Sequence, residues 1–184
     1  MAQASLRNVA AEADLALGSV RHYFDNQAEL MEFAFRVNSE RMHGRVLDRL
    51  EPLEEQDEDG LVWAGPELIE ACAMVLEELL PLDAVRISEA AVHMEFMLAA
   101  RTDDQLAEVA RDDYRATGAV VGRIILQLLG SGLVAESRTP VAEAERLMAV
   151  LDGLSVRMVL QPSWATAEQG RDTLRRHLAS LLEP

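Results

Sequence analysis

Apolar residues recur every three or four positions along most of the chain, and the recurrence breaks only at Pro, Gly or short polar clusters. This is the period of helices buried on one side. The first run is short: Leu6, Val9, Ala10 and Ala13, then Asp14-Leu15-Ala16, then Val20 and Phe24. Three intervening residues allow only a tight corner, so residues 5–24 read as helix, turn, helix. Ser5 is placed to cap the first helix, and Val9, Ala13, Leu15, Val20 and Phe24 are expected to share a small core, with Ala10 at the close approach.

The remaining pattern is helical to the end. Asn26 with Glu29 forms a capping box for a connector helix carrying Leu30, Phe33, Ala34, Val37, Arg41, Val46 and Leu47. The acidic run from Glu51-Pro52 to Gly60 reads as a solvated loop. Gly65-Pro66 opens a helix through Leu68, Ile69, Cys72, Val75, Leu76 and Leu79 that Pro81 stops. Asp83 caps the next, residues 84–100, which is apolar nearly all round (Val85, Ile87, Ala91, Val92, Met94, Phe96, Met97, Leu98) and is therefore expected at the centre. Thr102 with Gln105 caps a long stripe from Leu106 to Leu128, broken at Gly130-Ser131-Gly132. Thr139-Pro140 opens a helix ended by Gln161-Pro162, and Thr166 with Gln169 caps the last one. No strand pattern and no internal repeat interrupts this series, so the expected class is all-α, a helix-turn-helix head on a helical body.

Side chains left outside the small head core define its chemistry. Leu17, Gly18, Ser19, Arg21 and His22 remain on or near the open face of the second helix. Such a helix can enter a DNA major groove, with Arg21 as a bidentate fork for a guanine edge and Ser19, His22 and Tyr23 reaching bases or phosphates. The segment Gly18-Ser19-Val20-Arg21-His22-Tyr23-Phe24, followed by Asp25-Asn26-Gln27-Ala28-Glu29-Leu30, resembles the recognition helix and following helix start of the tetracycline-repressor-like (TetR) family of bacterial transcription regulators. The resemblance implies DNA contacts from Ser5, Arg7, Leu17, Gly18, Ser19, Arg21, His22 and Tyr23, with Ser5, Arg7 and Tyr23 clamping phosphates.

Three departures from the family pattern weaken that expectation. Asp14 stands where the family has its turn glycine, Ala16 where it has a hydroxyl cap, and Gln27 where it has a phosphate-contacting lysine. The family also carries one further helix ahead of the helix-turn-helix, whereas only Met1-Ala2-Gln3-Ala4 precede Ser5. The expectation is a start assigned too late or a truncation, with Val9, Phe24 and Phe33 or Phe35 losing a cover worth about 1.5–3 kcal/mol each and operator binding correspondingly weak. Residues 1–46 are thus expected to form the DNA-binding head and residues 47–184 an effector-binding and dimerisation body.

Composition sharpens the division. All positive charge comes from 17 arginines, against 32 acids, for a net charge of −15. An acidic chain argues against non-specific nucleic-acid binding, yet residues 1–49 hold six arginines and seven acids, so the acidity lies in the body. The single cysteine, Cys72, excludes an internal disulfide and sits in an apolar run, as a buried inert thiol would. No targeting signal or membrane-length run appears, and a cytoplasmic protein without membrane attachment is expected.

The carboxy-terminal third also resembles the TetR family, through Leu151-Asp152-Gly153-Leu154 and Glu168-Gln169-Gly170 ahead of a Leu-rich helix. The resemblance implies a homodimer through a four-helix bundle, and Leu147, Val150, Leu151, Leu154, Leu174, Leu178 and Leu181 are assigned to it. The alternative is that these residues complete the protomer's own core. Gly153 is expected to permit close helix approach. The family also implies a pocket for a small, apolar effector, with Trp63 at its entrance and Met74, His93, Met94, Phe96, Met97, Arg123 and Met158 as lining candidates. Methionines at helical spacing also serve as core filler, and His93 can instead bond Glu89 one turn away.

Catalysis finds no support. Only Glu40 to His43 matches a Glu-x-x-His pair, no phosphate loop or nucleophile elbow occurs, and the four histidines are scattered. The acid pairs Asp103-Asp104 and Asp112-Asp113 read as helix-start or solvent-facing charges. Neither cofactor nor metal is expected. The function implied is a ligand-responsive regulator, most simply a repressor, that binds a palindromic operator as a homodimer; the alternative is a dimeric helical binding module that has lost DNA.

Overall fold

The computed structural model describes residues 6–54, 65–132, 134 and 138–182. Among them are eight helices: α1 (Leu6–Glu12), α2 (Leu17–Tyr23), α3 (Gln27–Glu54), α4 (Gly65–Glu77), α5 (Ala84–Ala100), α6 (Asp104–Gly130), α7 (Pro140–Leu160) and α8 (Ala167–Ser180). The fold is all-α, as the periodicity predicts. Among the described residues no helix is long and apolar enough to cross a membrane.

Helix starts follow the side-chain chemistry with three adjustments, of which one is at α7, where Thr139 stands at the N-cap without a side-chain hydrogen bond and Pro140 opens the helix. Thr166 and Gln169 form the reciprocal capping box of α8, and Asp83 accepts the Arg86 amide at the start of α5. At α3, Asn26 Oδ1 accepts the Glu29 amide at 3.0 Å, but Glu29 Oε2 accepts from the Asp25 backbone amide at 2.8 Å and Oε1 from Asn26 Nδ2 at 3.4 Å, rather than from the Asn26 backbone amide. At α6 the cap is Asp103, which accepts the Gln105 amide, while the Thr102 hydroxyl donates backward to Ala99 O. A carboxylate one residue nearer the helix outcompetes the hydroxyl because it accepts more strongly.

The corner between α1 and α2 is a Schellman closure. The Leu15 amide donates to Ala10 O at 2.8 Å and the Asp14 amide to Ala11 O at 3.3 Å, with Asp14 at φ +53°. Asp14 thus occupies the left-handed position that the family gives to glycine. Asp14→Gly is expected to stabilise the chain by up to about 1 kcal/mol, by removing the steric cost of a Cβ there. A thermal melt no higher than wild type would count against that reading of the corner. Of the anticipated head core, Ala10 and Val20 are buried, Val9 and Phe24 half-buried, and Ala13 and Leu15 exposed. Two seven-residue helices present too little surface to enclose all six.

The connector α3 runs unbroken across residues 46 and 47 and continues to Glu54 with Pro52 inside it, past the point where the acidic loop was expected. Leu50 and Leu53 explain the extension, since both are sealed in the body core. The buried stripe of α3 is Leu30, Phe35, Ser39, Val46, Leu50 and Leu53, whereas Phe33 and Leu47 are more than half exposed. Phe35 is fully covered, stacked on Phe96 at 3.8 Å, and Phe24 lies 5.4 Å from Phe33.

The body has two apolar clusters. The larger joins α4, the carboxy-terminal end of α3, α6, α7 and α8, and α4 is its centre, buried at Leu68, Ile69, Ala71, Cys72, Ala73, Val75 and Leu76. Burial pushes the Cys72 thiol up to about 12, so it stays protonated, as an inert core residue does. The smaller consists of Phe35, Phe96, Ala100 and Leu106 and ties the first half of α3 to α5 and α6. The sequence expectation that α5 is central does not hold. Only Phe96 and Ala100 of α5 are buried, and Val85 and Leu98 are 67% and 61% exposed. Across the α4–α8 seam Arg175 grips Glu70 at 2.6 and 2.8 Å and also pairs with Glu77, fixing α8 against α4.

Candidate functional site

The second helix of the head presents the face anticipated from its sequence. Gly18, Ser19, Arg21, His22 and Tyr23 are exposed, Leu17 is half-buried, and Val20 is the buried anchor. Arg7 on α1 is also exposed. His22 and Tyr23 meet edge to face at 5.3 Å. Ala16 stands at the N-cap without a side-chain hydrogen bond, so the first amides of α2 remain available to an external acceptor. Ser5 lies outside the described residues.

In the body, a cavity of about 520 Å³ lies between α3, α5 and α7 and touches the α4–α5 turn and α6. Its apolar wall includes Met42, Met94, Met97, Leu98, Met148, Leu151, Val156 and Leu160. Its polar groups are Asn38, Arg45, Glu78, Arg86, Glu89, His93, Thr117, Asp152 and Ser155. Three of the candidate lining residues, His93, Met94 and Met97, are brought together here. Phe96 turns the other way onto Phe35, Met74 and Arg123 do not line the cavity, and Met158 borders a separate cleft of about 190 Å³ beside Gly170. Trp63 lies outside the described residues.

The polar network differs from the one anticipated within α5. Glu89 does not hold His93; it accepts Arg45 Nη2 at 2.6 Å and Nη1 at 3.2 Å, while Asn38 donates to its backbone carbonyl at 3.1 Å. Arg45 also lies 3.3 Å from Glu78, and Arg86 bonds Glu78 at 3.1 Å and Asp83 at 2.7 Å. The carboxylate beside His93 is Asp113 of α6, with Nδ1 3.7 Å from Oδ2. Burial holds His93 below the ordinary imidazole range against the opposing pull of Asp113 and Asp152, and burial raises Asp152. Asp113, expected to face solvent, is 7% exposed. The signal was present in the sequence: Asp113 falls on the helical stripe of Leu106, Ala110, Thr117, Val120 and Ile124.

The residues assigned to a dimer face are placed elsewhere. Leu147, Leu151, Leu154, Leu174, Leu178 and Leu181 are at most 6% exposed within one chain, and Val150 packs against the same cluster. They complete the protomer core, because α7 and α8 must first seal α4 and α6. Within one chain nothing lies within 4 Å of the position a Gly153 Cβ would take. The tight point is Gly170, where a Cβ would stand 2.8 Å from Met158 Sδ.

A short head with an outward-facing second helix, joined by one long helix to a cavity-bearing body, defines a helix-turn-helix regulator with a ligand-binding domain. Residues 68–183 match the family model of the BetI-type transcriptional repressor carboxy-terminal domain. The chain is 31% identical over 181 residues to the HTH-type transcriptional regulator PksA of Bacillus subtilis strain 168, covering 98% of this chain and 81% of that protein. A transcriptional regulator from Rhodococcus sp. Rha1 superposes with a TM-score of 0.76 at 25% identity, over 97% of this chain and 85% of the other. The multidrug binding protein EbrR, solved in complex with ethidium, does so with a TM-score of 0.58 at 29% identity, over 94% and 85%. The chain belongs to the TetR family of transcriptional regulators.

Proposed function

We propose that this regulator is a cytoplasmic, ligand-responsive repressor that binds a palindromic operator as a homodimer and is released by a small molecule. The observation that carries the reading is the cavity wall: Asn38, Met42 and Arg45 belong to the same uninterrupted helix that begins four residues after the reading helix α2 ends. A ligand that occupies the cavity bears on α3 and, through it, on the head. An effector that favours one angle of α3 shifts the population away from the state in which two reading helices match successive major grooves, about 34–36 Å apart. Residues 1–46 act as the head and 47–184 as the body, hinged within α3 rather than at a loop. EbrR's complex with ethidium supports a body that accepts a small, largely apolar ligand.

Selection from a random DNA pool, read by footprinting, tests the reading. Recovery of an inverted repeat released by a cavity ligand supports it. Recovery of no sequence, with ligand binding intact, supports the alternative of a binding module that has lost DNA; Gln27 and the net charge of −15 favour that alternative.

With the inner leucines committed to the protomer, the dimer face moves to the outward residues of the same helices. On α7 these include Ala149, Gly153 and Val156, and on α8 Thr173, Arg176 and Ala179, all exposed and mostly small. Small residues permit the close helix packing that a four-helix bundle needs. Ala149→Arg combined with Ala179→Arg is expected to convert a dimer to monomers in sedimentation while leaving the helical circular-dichroism signal intact. A double variant that sediments as wild type places the interface elsewhere.

A further inference from the structure

The charges around the cavity do not balance. Its two guanidiniums are already engaged: Arg45 with Glu89 and Glu78, and Arg86 with Glu78 and Asp83. Arg49 also lies 3.7 Å from Glu78, so three guanidiniums meet three carboxylates at that end and no cation is left over for the opposite wall. At the opposite wall Asp152 of α7 lines the cavity, and among the described residues it accepts no hydrogen bond. Behind His93, the Asp113 side chain is only 5% exposed, and neither of its oxygens has a hydrogen-bond partner. Among the described residues the group near enough to compensate is His93 at 3.7 Å, which burial holds below the ordinary imidazole range, with His43 of α3 opposing its protonation further.

An ionised carboxylate with no partner in a low-dielectric setting is unfavourable, and a cation brought beside it is favoured for the same reason. An anionic ligand would meet the reverse. Beyond the neutral polar groups Asn38, Thr117 and Ser155, the wall is mainly apolar and conformationally adaptable, with Met42, Met94, Met97 and Leu160. The cavity thus offers one end that attracts positive charge and a larger part that takes hydrocarbon or aromatic surface.

We propose that the cavity is a subsite for a lipophilic organic cation, its charge between Asp152 and the His93–Asp113 pair and its apolar body along the methionine wall. Asp152 is the contact group, and Asp113 acts through His93 as a positioning and field-setting residue. The proposal rests on the reading of this cavity as the effector site and specifies its ligand class.

Two ions of matched shape and opposite charge separate the possibilities. Tetraphenylphosphonium and tetraphenylborate are titrated into the full chain by calorimetry. The phosphonium is expected to bind at least about tenfold tighter than the borate. Asp152→Asn is expected to reduce that preference at least about fivefold by weakening the phosphonium alone. Asp113→Asn lowers it less, and circular dichroism reports whether that buried variant still folds. Equal or tighter binding of the borate, or an unchanged ratio in Asp152→Asn, overturns the cation assignment while the cavity stands as a ligand site. Binding of neither ion overturns both the assignment and the effector reading of the cavity.

Discussion

Phe96→Ala is expected to destabilise the fold by about 3–5 kcal/mol, the usual cost of deleting a buried aromatic ring whose space refills only in part. The reason is local. Phe96 is 1% exposed and stacks on Phe35 with ring centroids 3.8 Å apart and planes at 13°. The cluster around them holds only two further buried residues, Ala100 and Leu106, and is separate from the main core. The apolar residues packed against it, Met31, Met97 and Val109 among them, sit on helices that can close the void only in part. Because this cluster fastens the first half of α3 to α5 and α6, its loss should also loosen the head. Denaturant titration is expected to show the lower midpoint, hydrogen exchange should accelerate most between residues 28 and 42, and Phe96→Leu should recover a large part of both. A Phe96→Ala chain that unfolds at the wild-type midpoint would falsify the assignment of this stack as the joint between connector and body.

Arg21→Ala is expected to cost about 1–3 kcal/mol in operator affinity and to relax preference at one base position per half-site. Arg21 is exposed on a helix whose inner side is pinned by Val20, so removing its side chain leaves the local fold untouched. The loss should be specific to sequence. Arg7→Ala, by contrast, should weaken binding to every DNA by a similar factor and flatten the salt dependence by about one unit, as a phosphate contact does. Footprinting over a set of half-site variants distinguishes the two patterns. An unchanged base preference in Arg21→Ala removes Arg21 from the reading face and leaves Ser19 and His22 to carry it.

The local features of this chain were legible because each depends on a few adjacent residues. The helix-turn-helix corner follows from three residues too short for a loop; the cap at Thr166 and the buried thiol at Cys72 follow from side chains acting within one turn, whereas α4 ends at Glu77, ahead of the stop expected at Pro81. The outward face of α2 was readable too, since Val20 alone faces in and its neighbours have nowhere else to go. Asp112-Asp113 reads as a solvated pair because two acids are adjacent, yet the position of Asp113 on the α6 stripe turns it inward.

What the one-dimensional pattern left open was which apolar surface meets which. An all-round apolar helix looks central, yet α5 borders a cavity and solvent while α4 takes the middle; hydrophobicity states a need for cover but not its source. The leucines of α7 and α8 could serve a partner or the protomer with the same sequence, and only their packing against α4 and α6 gives them to the protomer. The cavity is the clearest case. Arg45, Glu78, Glu89, Asp113 and Asp152 come from five helices or their ends, and no spacing along the chain brings them together; long-range helix packing alone creates that site.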